Sequence, residues 1–244
     1  MCSSDLLAAS LGGAGTGTIA ISANTDGAGS EGFSQAAGAA ISTGNATTAA
    51  VAINVNATGG GSGGAALDGI TTGAGGTVTI RTDTGGNATG GSITQAGGTI
   101  SVGAAGVVDL RVPVSSASGI GTSTTNIQMA SNGGTLNLSA GTGGAFVTNG
   151  GNLTLNAPTL NAVAGSDLAV TATGSLTLPG SSINTLAGNL SLRSTGSSLS
   201  TAATLGTTSG TLSLSGKTGL NVQHALQTGS GPIDLATTTS GDVV

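Results

Sequence analysis

Nine acidic residues, four basic residues and one histidine in 244 positions leave few places for chemistry, and each can be judged by its spacing. The stretch SGKT at 215–218 has the Gly-Lys-Thr ending of a phosphate-cradling loop. Such a loop needs a glycine five residues before Gly216 and a helix after it. Position 211 is Thr, and the GLNVQ that follows alternates like a strand, so the spacing predicts a corner turn. GGGSGG at 59–64 contains a G-x-G-x-x-G spacing, but no ribose-binding acid is suitably placed in a βαβ unit. His224 is the only histidine, and Asp234 lies ten residues on in a different strand phrase. Metal sites take several ligands, and a Ser-His-Asp hydrolase needs its acid beside the histidine, so His224 reads as structural or solvent-facing.

The carboxylates are scattered. Glycoside hydrolysis needs two of them within about 5–9 Å, yet no two occupy equivalent places in adjacent repeats. Stacking would bring Asp167 to position 189, which is Asn. Arg81 with Asp83, and Asp109 with Arg111, are spaced i, i+2 on one strand face, which predicts two exposed ion pairs worth at most about 1 kcal/mol each. GGAGTGTIAI has the glycines of a calcium-binding coil but Thr16, Gly17 and Thr18 where aspartate would sit. Thr-x-Thr pairs at 77/79, 122/124 and 171/173 do not repeat at a fixed period, which disfavours an ice-binding face. Asn-x-Ser/Thr sequons start at Asn45, Asn56, Asn87, Asn137, Asn152 and Asn189, as expected in a chain rich in these residues. No catalytic, cofactor-binding or metal-ligating residue is assigned, no cofactor is expected, and the chain is not read as an enzyme.

Composition explains this poverty. Charged residues are 5% and glycine is 47 of 244, against about 25% and 7% in ordinary domains. Collagen is excluded because glycine does not fall at every third place, and there are only four prolines. A helical protein is excluded because Gly, Ser, Thr and Asn are poor helix formers. The net charge of −5 argues against nucleic acid, which asks for a basic patch with aromatics. No apolar run is long enough to cross a bilayer. Cys2 stands alone, so no internal disulfide forms. MCSSDLLAAS lacks the basic and apolar regions of a secretion signal, and residues 1–15 read as a non-native or disordered start. The closing TSGDVV stops in mid-pattern, as a fragment would.

The elements that must position every side chain are short strands. Aliphatic–x–aliphatic phrases recur after glycines as GGTVTI, GGTLNL, GGNLTL, GNLSL and GTLSL, and alternation with period two marks a strand with one buried face. Leu168, Leu190, Leu212 and Ile233 follow one another at intervals of 22, 22 and 21, and Phe146 stands one such interval before Leu168. Leu153, Leu176, Leu199 and Leu220 form a second series, and Leu160, Ile183, Leu205 and Leu226 a third. Three interleaved series with one period predict an all-β, right-handed parallel β-helix with three short strands per turn of about 22 residues. About eleven turns would make a rod of about 50 Å. One domain is expected over 16–244, regular from about 136 and looser before about 130. Loops are read at 57–70 and 84–91. Gln35 and Gln95, in the similar phrases GFSQAAG and GSITQAGG, are placed three turns from each other.

The phrases GSITQAGGTISV, GNLTL, GSLTL and GNLSL resemble the repeat region of filamentous-haemagglutinin-type adhesins, the large passengers of bacterial two-partner secretion. The resemblance covers Thr16 to the end. It implies a right-handed β-helix, export through an outer-membrane β-barrel transporter, and a secreted or cell-surface place. That family's secretion domain carries Asn-Pro-rich segments; no Asn precedes a Pro here, so the resemblance is to the downstream shaft. The expected function is a structural shaft segment. The alternatives are a module binding host or environmental glycans and surfaces, and a carbohydrate-active β-helix enzyme. Uncapped coil ends would favour end-to-end self-association.

Overall fold

The computed structural model describes residues 5–239 and 241–244. The chain is an all-β parallel β-helix. Every strand pairs in parallel with the strand one coil before or after it. One column holds ten strands from Leu11–Gly12 to Ile233–Thr237, and another runs from Ile19–Ala23 to Gly219–Val222. A third column, Asp5–Leu7, Phe33–Gln35, Ala65–Leu67 and Ile93–Gln95, serves the N-terminal coils. A fourth, Ile183–Asn184, Leu205–Thr207 and Leu226–Thr228, serves the C-terminal ones. Ten coils rather than eleven, at about 4.8 Å each, give nine steps and about 43 Å.

The strands form because small polar residues alternate with aliphatics. Val51–Val55, Ala145–Asn149 and Leu168–Ala172 each bury every second residue. Stacked coils then superpose like on like, as with Leu168, Leu190 and Leu212, each at most 1% exposed. The core is one unbroken apolar column from Ala23 to Leu220, aliphatic except for Phe33 and Met129. Removing apolar area from water contributes about 1.5–3 kcal/mol per large side chain, so a core with Phe33 as its one aromatic ring can still be stable.

The register matches the expected series in the C-terminal half, with Leu153↔Leu176↔Leu199↔Leu220 and Ile183↔Leu205↔Leu226. Two members are displaced. Ala145, not Phe146, lies under Leu168, so the Phe146 ring turns to the outer face, half-buried. Leu160 pairs with Ala140 in the neighbouring column. The N-terminal half has longer and less even coils: Val51↔Val78↔Val108↔Leu136 advance by 27, then 30, then 28 along the chain. Gln35 and Gln95 are therefore two coils apart, with Leu67 between them, not three. Residues 5–12, expected outside the fold, pair with Phe33–Gln35 and Ala40–Ser42; residues 1–4 of that expected start lie outside the described residues. The expected 57–70 loop ends at 64, since Ala65–Leu67 and Gly69–Thr71 are strands with Leu67 and Ile70 buried. The 84–91 loop opens with a 3-10 turn, Thr84–Gly86.

The change of period has a structural origin. Ala145–Asn149 continues two columns at once: Ala145 bridges Ile120, while Val147 pairs with Ile127. The corner between those columns straightens there. One strand earlier a new corner opens. Gly134–Ala140 pairs through Leu136 with Leu155 and through Ser139 with Thr159. Three residues, Asn156, Ala157 and Pro158, thus oppose two, Asn137 and Leu138. That is a bulge, and Pro158, with no N–H to give the ladder, suits it. The coil stays three-sided while its corners move.

Two devices tie coils together at corners. Gln35 donates its amide to the Gly69 carbonyl at 3.1 Å and accepts from the Asp68 N–H at 3.2 Å. Gln95 donates to Asp68 O at 3.3 Å and accepts from Gln128 N–H. In the C-terminal half Gly188, Gly210 and Gly231 stack so closely that a β-carbon on Gly210 would collide with Gly188 O. Gly210→Ala is therefore expected to pry adjacent coils apart and cost about 1–3 kcal/mol, read as a lowered urea midpoint. An unchanged midpoint would refute the close approach.

Candidate functional site

Beside the bulge, charges of both signs meet at a depression. Arg81 and Arg111 occupy equivalent positions in adjacent coils. Like charges so stacked would repel, but Asp109 lies between them. Arg111 Nε donates to Asp109 Oδ1 at 2.8 Å, and Arg81 Nη2 lies 3.4 Å from Asp109 Oδ2. The Asp109 side chain is 10% exposed and the arginines about 40%. Arg111 holds its proton more tightly than usual, chiefly through that hydrogen bond; burial opposes the shift, and the Asp109 and Asp83 charges reinforce it.

This corrects one expected pair. Asp109–Arg111 forms along its strand, but Arg81 turns to Asp109 of the next coil instead of Asp83. Asp83 is left facing a groove of about 420 Å³ that it shares with Asp109, Arg111, Asn137, Ser139 and Thr159. Asn156 Nδ2 donates to Asn137 Oδ1 at 2.8 Å across the bulge. Two carboxylates in one groove escaped the sequence reading because it carried the shorter C-terminal period into coils that are longer here. The signal was present in the chain: Arg81 and Arg111 stand one long coil apart, as do Val78 and Val108. Chemically the groove offers hydroxyl-binding groups: a carboxylate acceptor, guanidinium and carboxamide donors, and apolar contact from Val114, Leu138 and Ala157.

The other candidates fall where turns were expected. In SGKT the N–H groups of Lys217 and Thr218 both donate to Ser197 O, so they are engaged by the coil and cannot cradle phosphate. The strand Gly219–Val222 follows, not a helix. In GGGSGG, Gly59, Gly60 and Gly61 adopt φ values of 70–79°, which glycine reaches without strain. His224 is exposed at a turn. Asn189 donates its N–H to Asp167 Oδ1 at 2.7 Å, the asparagine neighbour that stacking implied. Thr79 lies beside Asp109 and Thr171 beside Arg193, which interrupts any threonine row. Asn45, Asn56 and Asn87 are at most 6% exposed, leaving Asn137, Asn152 and Asn189 as the reachable sequons. Among the described residues no three His, Cys, Asp or Glu side chains gather as a metal site built from them would need. No helix among them is long and apolar enough to cross a membrane.

No family model, no curated protein and no solved structure matches this chain. The reading of the site rests on its geometry and on the repeat pattern.

Proposed function

We propose that this chain is a structural shaft segment, a spacer that holds other parts of a secreted or cell-surface bacterial adhesin away from the membrane. The observation that carries the reading is the unbroken apolar core running through ten coils beneath a surface of Ser, Thr and Asn. Such an architecture devotes nearly all its apolar residues to length. The repeat phrases that resemble filamentous-haemagglutinin-type adhesins add the export route, through an outer-membrane β-barrel transporter, and the extracellular location.

The polar groove favours a second reading, a glycan-binding face on the rod. Arg111 and Asp83 suit sugar hydroxyls, one as donor and the other as acceptor. Carbohydrate cleavage is the weaker use of the same groove. Asp109 has both carboxylate oxygens engaged by arginines, which leaves Asp83 alone for work that two carboxyls share in such a reaction.

The test is an array of glycans and host-matrix proteins probed with the purified, folded chain. The shaft reading expects a flat array. A reproducible ligand whose binding falls at least about tenfold, some 1.4 kcal/mol, in Asp83→Asn or Arg111→Ala would replace it with the glycan-binding reading.

A further inference from the structure

We propose that the corner formed by Asn24, Asp26 and Glu31 binds a divalent cation, calcium by its donor chemistry. The argument starts one coil away. Asn56, fully buried, donates its Nδ2 to the carbonyls of Gly63 at 3.0 Å and Thr82 at 3.1 Å. Two carbonyl partners fix which end of that carboxamide is nitrogen. Its Oδ1 therefore accepts, and it accepts from Asn24 Nδ2 at 2.7 Å. The same logic then orients Asn24. With its nitrogen committed to Asn56, its Oδ1 is an acceptor with no donor among the described residues, in a residue only 6% exposed.

A second atom of this corner is in the same condition. Glu31 Oε2 is buried and has no partner among the described residues. Both atoms are acceptors, so neither can satisfy the other. Buried polar atoms without partners are rare, and an ion is one of the few groups that resolves them. Asn24, Asp26 and Glu31, with Asp5 at the rim, border one depression of about 190 Å³. None of these three acids has an ion-pair partner among the described residues. Asp26 uses Oδ1 to accept the Ala28 N–H at 3.1 Å, which leaves Oδ2 free.

The donor set is all oxygen: carboxylates, a carboxamide and room for water. Calcium takes six to eight such ligands in flexible geometry. Zinc prefers nitrogen and sulfur, and magnesium demands a stricter octahedron. The spacing N-x-D-x-x-x-x-E across 24–31 is the sequence signal. It is easily missed because it falls after the Thr16–Thr18 stretch where a calcium coil would place aspartate. Bound there, the ion would lock the corner that follows Ile19–Ala23 onto the next coil through the Asn24–Asn56 contact.

The experiment uses the whole chain, stripped with chelator, titrated with calcium chloride in a calorimeter and followed in parallel by thermal unfolding. One site with a dissociation constant of about 10⁻⁴–10⁻³ M is expected. At ten times that concentration the unfolding midpoint should rise by about 3–5 °C. Magnesium at the same concentration should give a markedly smaller shift. Glu31→Gln should weaken calcium binding at least about tenfold, some 1.4 kcal/mol. Asp26→Asn, at an exposed side chain that leaves the fold intact, should weaken it in the same direction. The proposal is overturned by a folded parent that shows neither heat nor a shift at about 10 mM calcium, well above the weakest expected constant. It is equally overturned by both variants binding as tightly as the parent.

Discussion

Leu190→Ala lowers the stability of the chain by about 2–5 kcal/mol. Leu190 is fully buried, with Leu168 in register below it and Leu212 above. Truncation removes its transfer free energy and leaves a cavity that neighbouring coils cannot close, because their strand spacing of about 4.8 Å is set by backbone hydrogen bonds. At about 2–4 °C per kcal/mol for a chain of this size, the midpoint should fall by roughly 4–20 °C. Leu235, 41% exposed in the column's last strand, is the control, and Leu235→Ala should cost well under half as much. Equal effects of the two substitutions would mean that the leucine ladder is not what holds the coils together.

Asn56→Ala is the second large loss, about 2–5 kcal/mol, and it has two separable parts. The carboxamide makes three hydrogen bonds within or between coils, and stranding buried partners costs about 1–3 kcal/mol. The backbone is left-handed at φ 59°, which costs an alanine about 1–2 kcal/mol. Asn56→Gly removes only the first part. It should recover about 1 kcal/mol or more relative to alanine, measured by denaturant unfolding with both variants at matched m-values. Indistinguishable alanine and glycine variants would rule out the backbone contribution. If both sat near the parent, the amide would have no structural role.

The fold class was readable because one period survives in the residues that stack: Leu168, Leu190 and Leu212 repeat the same side chain at the same interval. The N-terminal coils hid theirs. Val51, Val78 and Val108 stack just as faithfully, but loops such as 57–64 lengthen each coil unequally, and an interval that changes from coil to coil is lost among so many Val, Ile and Ala. Phe146 was misplaced by one position because an aromatic is the obvious core candidate, whereas a narrow coil packs Ala145 under Leu168 and leaves the ring outside. The groove depended on a bulge at Asn156–Pro158, which no local pattern announces beyond the proline itself. The amide chain from Thr82 through Asn56 to Asn24 needed three coils in register before its last atom could be seen to lack a donor.

Hydrogen bonds between coils point along the axis of the rod, whereas the covalent chain winds around it. Tension applied to the two ends therefore does not load the backbone directly. It loads one interface between coils at a time, and the first to part is the weakest. The interfaces are not equal. Gln35 and Gln95 rivet successive coils in the N-terminal half, the stacked glycines bring coils close at 188–231, and the displaced corner near 145–160 carries a bulge in which part of the ladder is unpaired. Whichever interface parts first, the molecule lengthens by one uncoiled turn while the segments on either side stay wound. A filament assembled from such units would yield in steps instead of snapping.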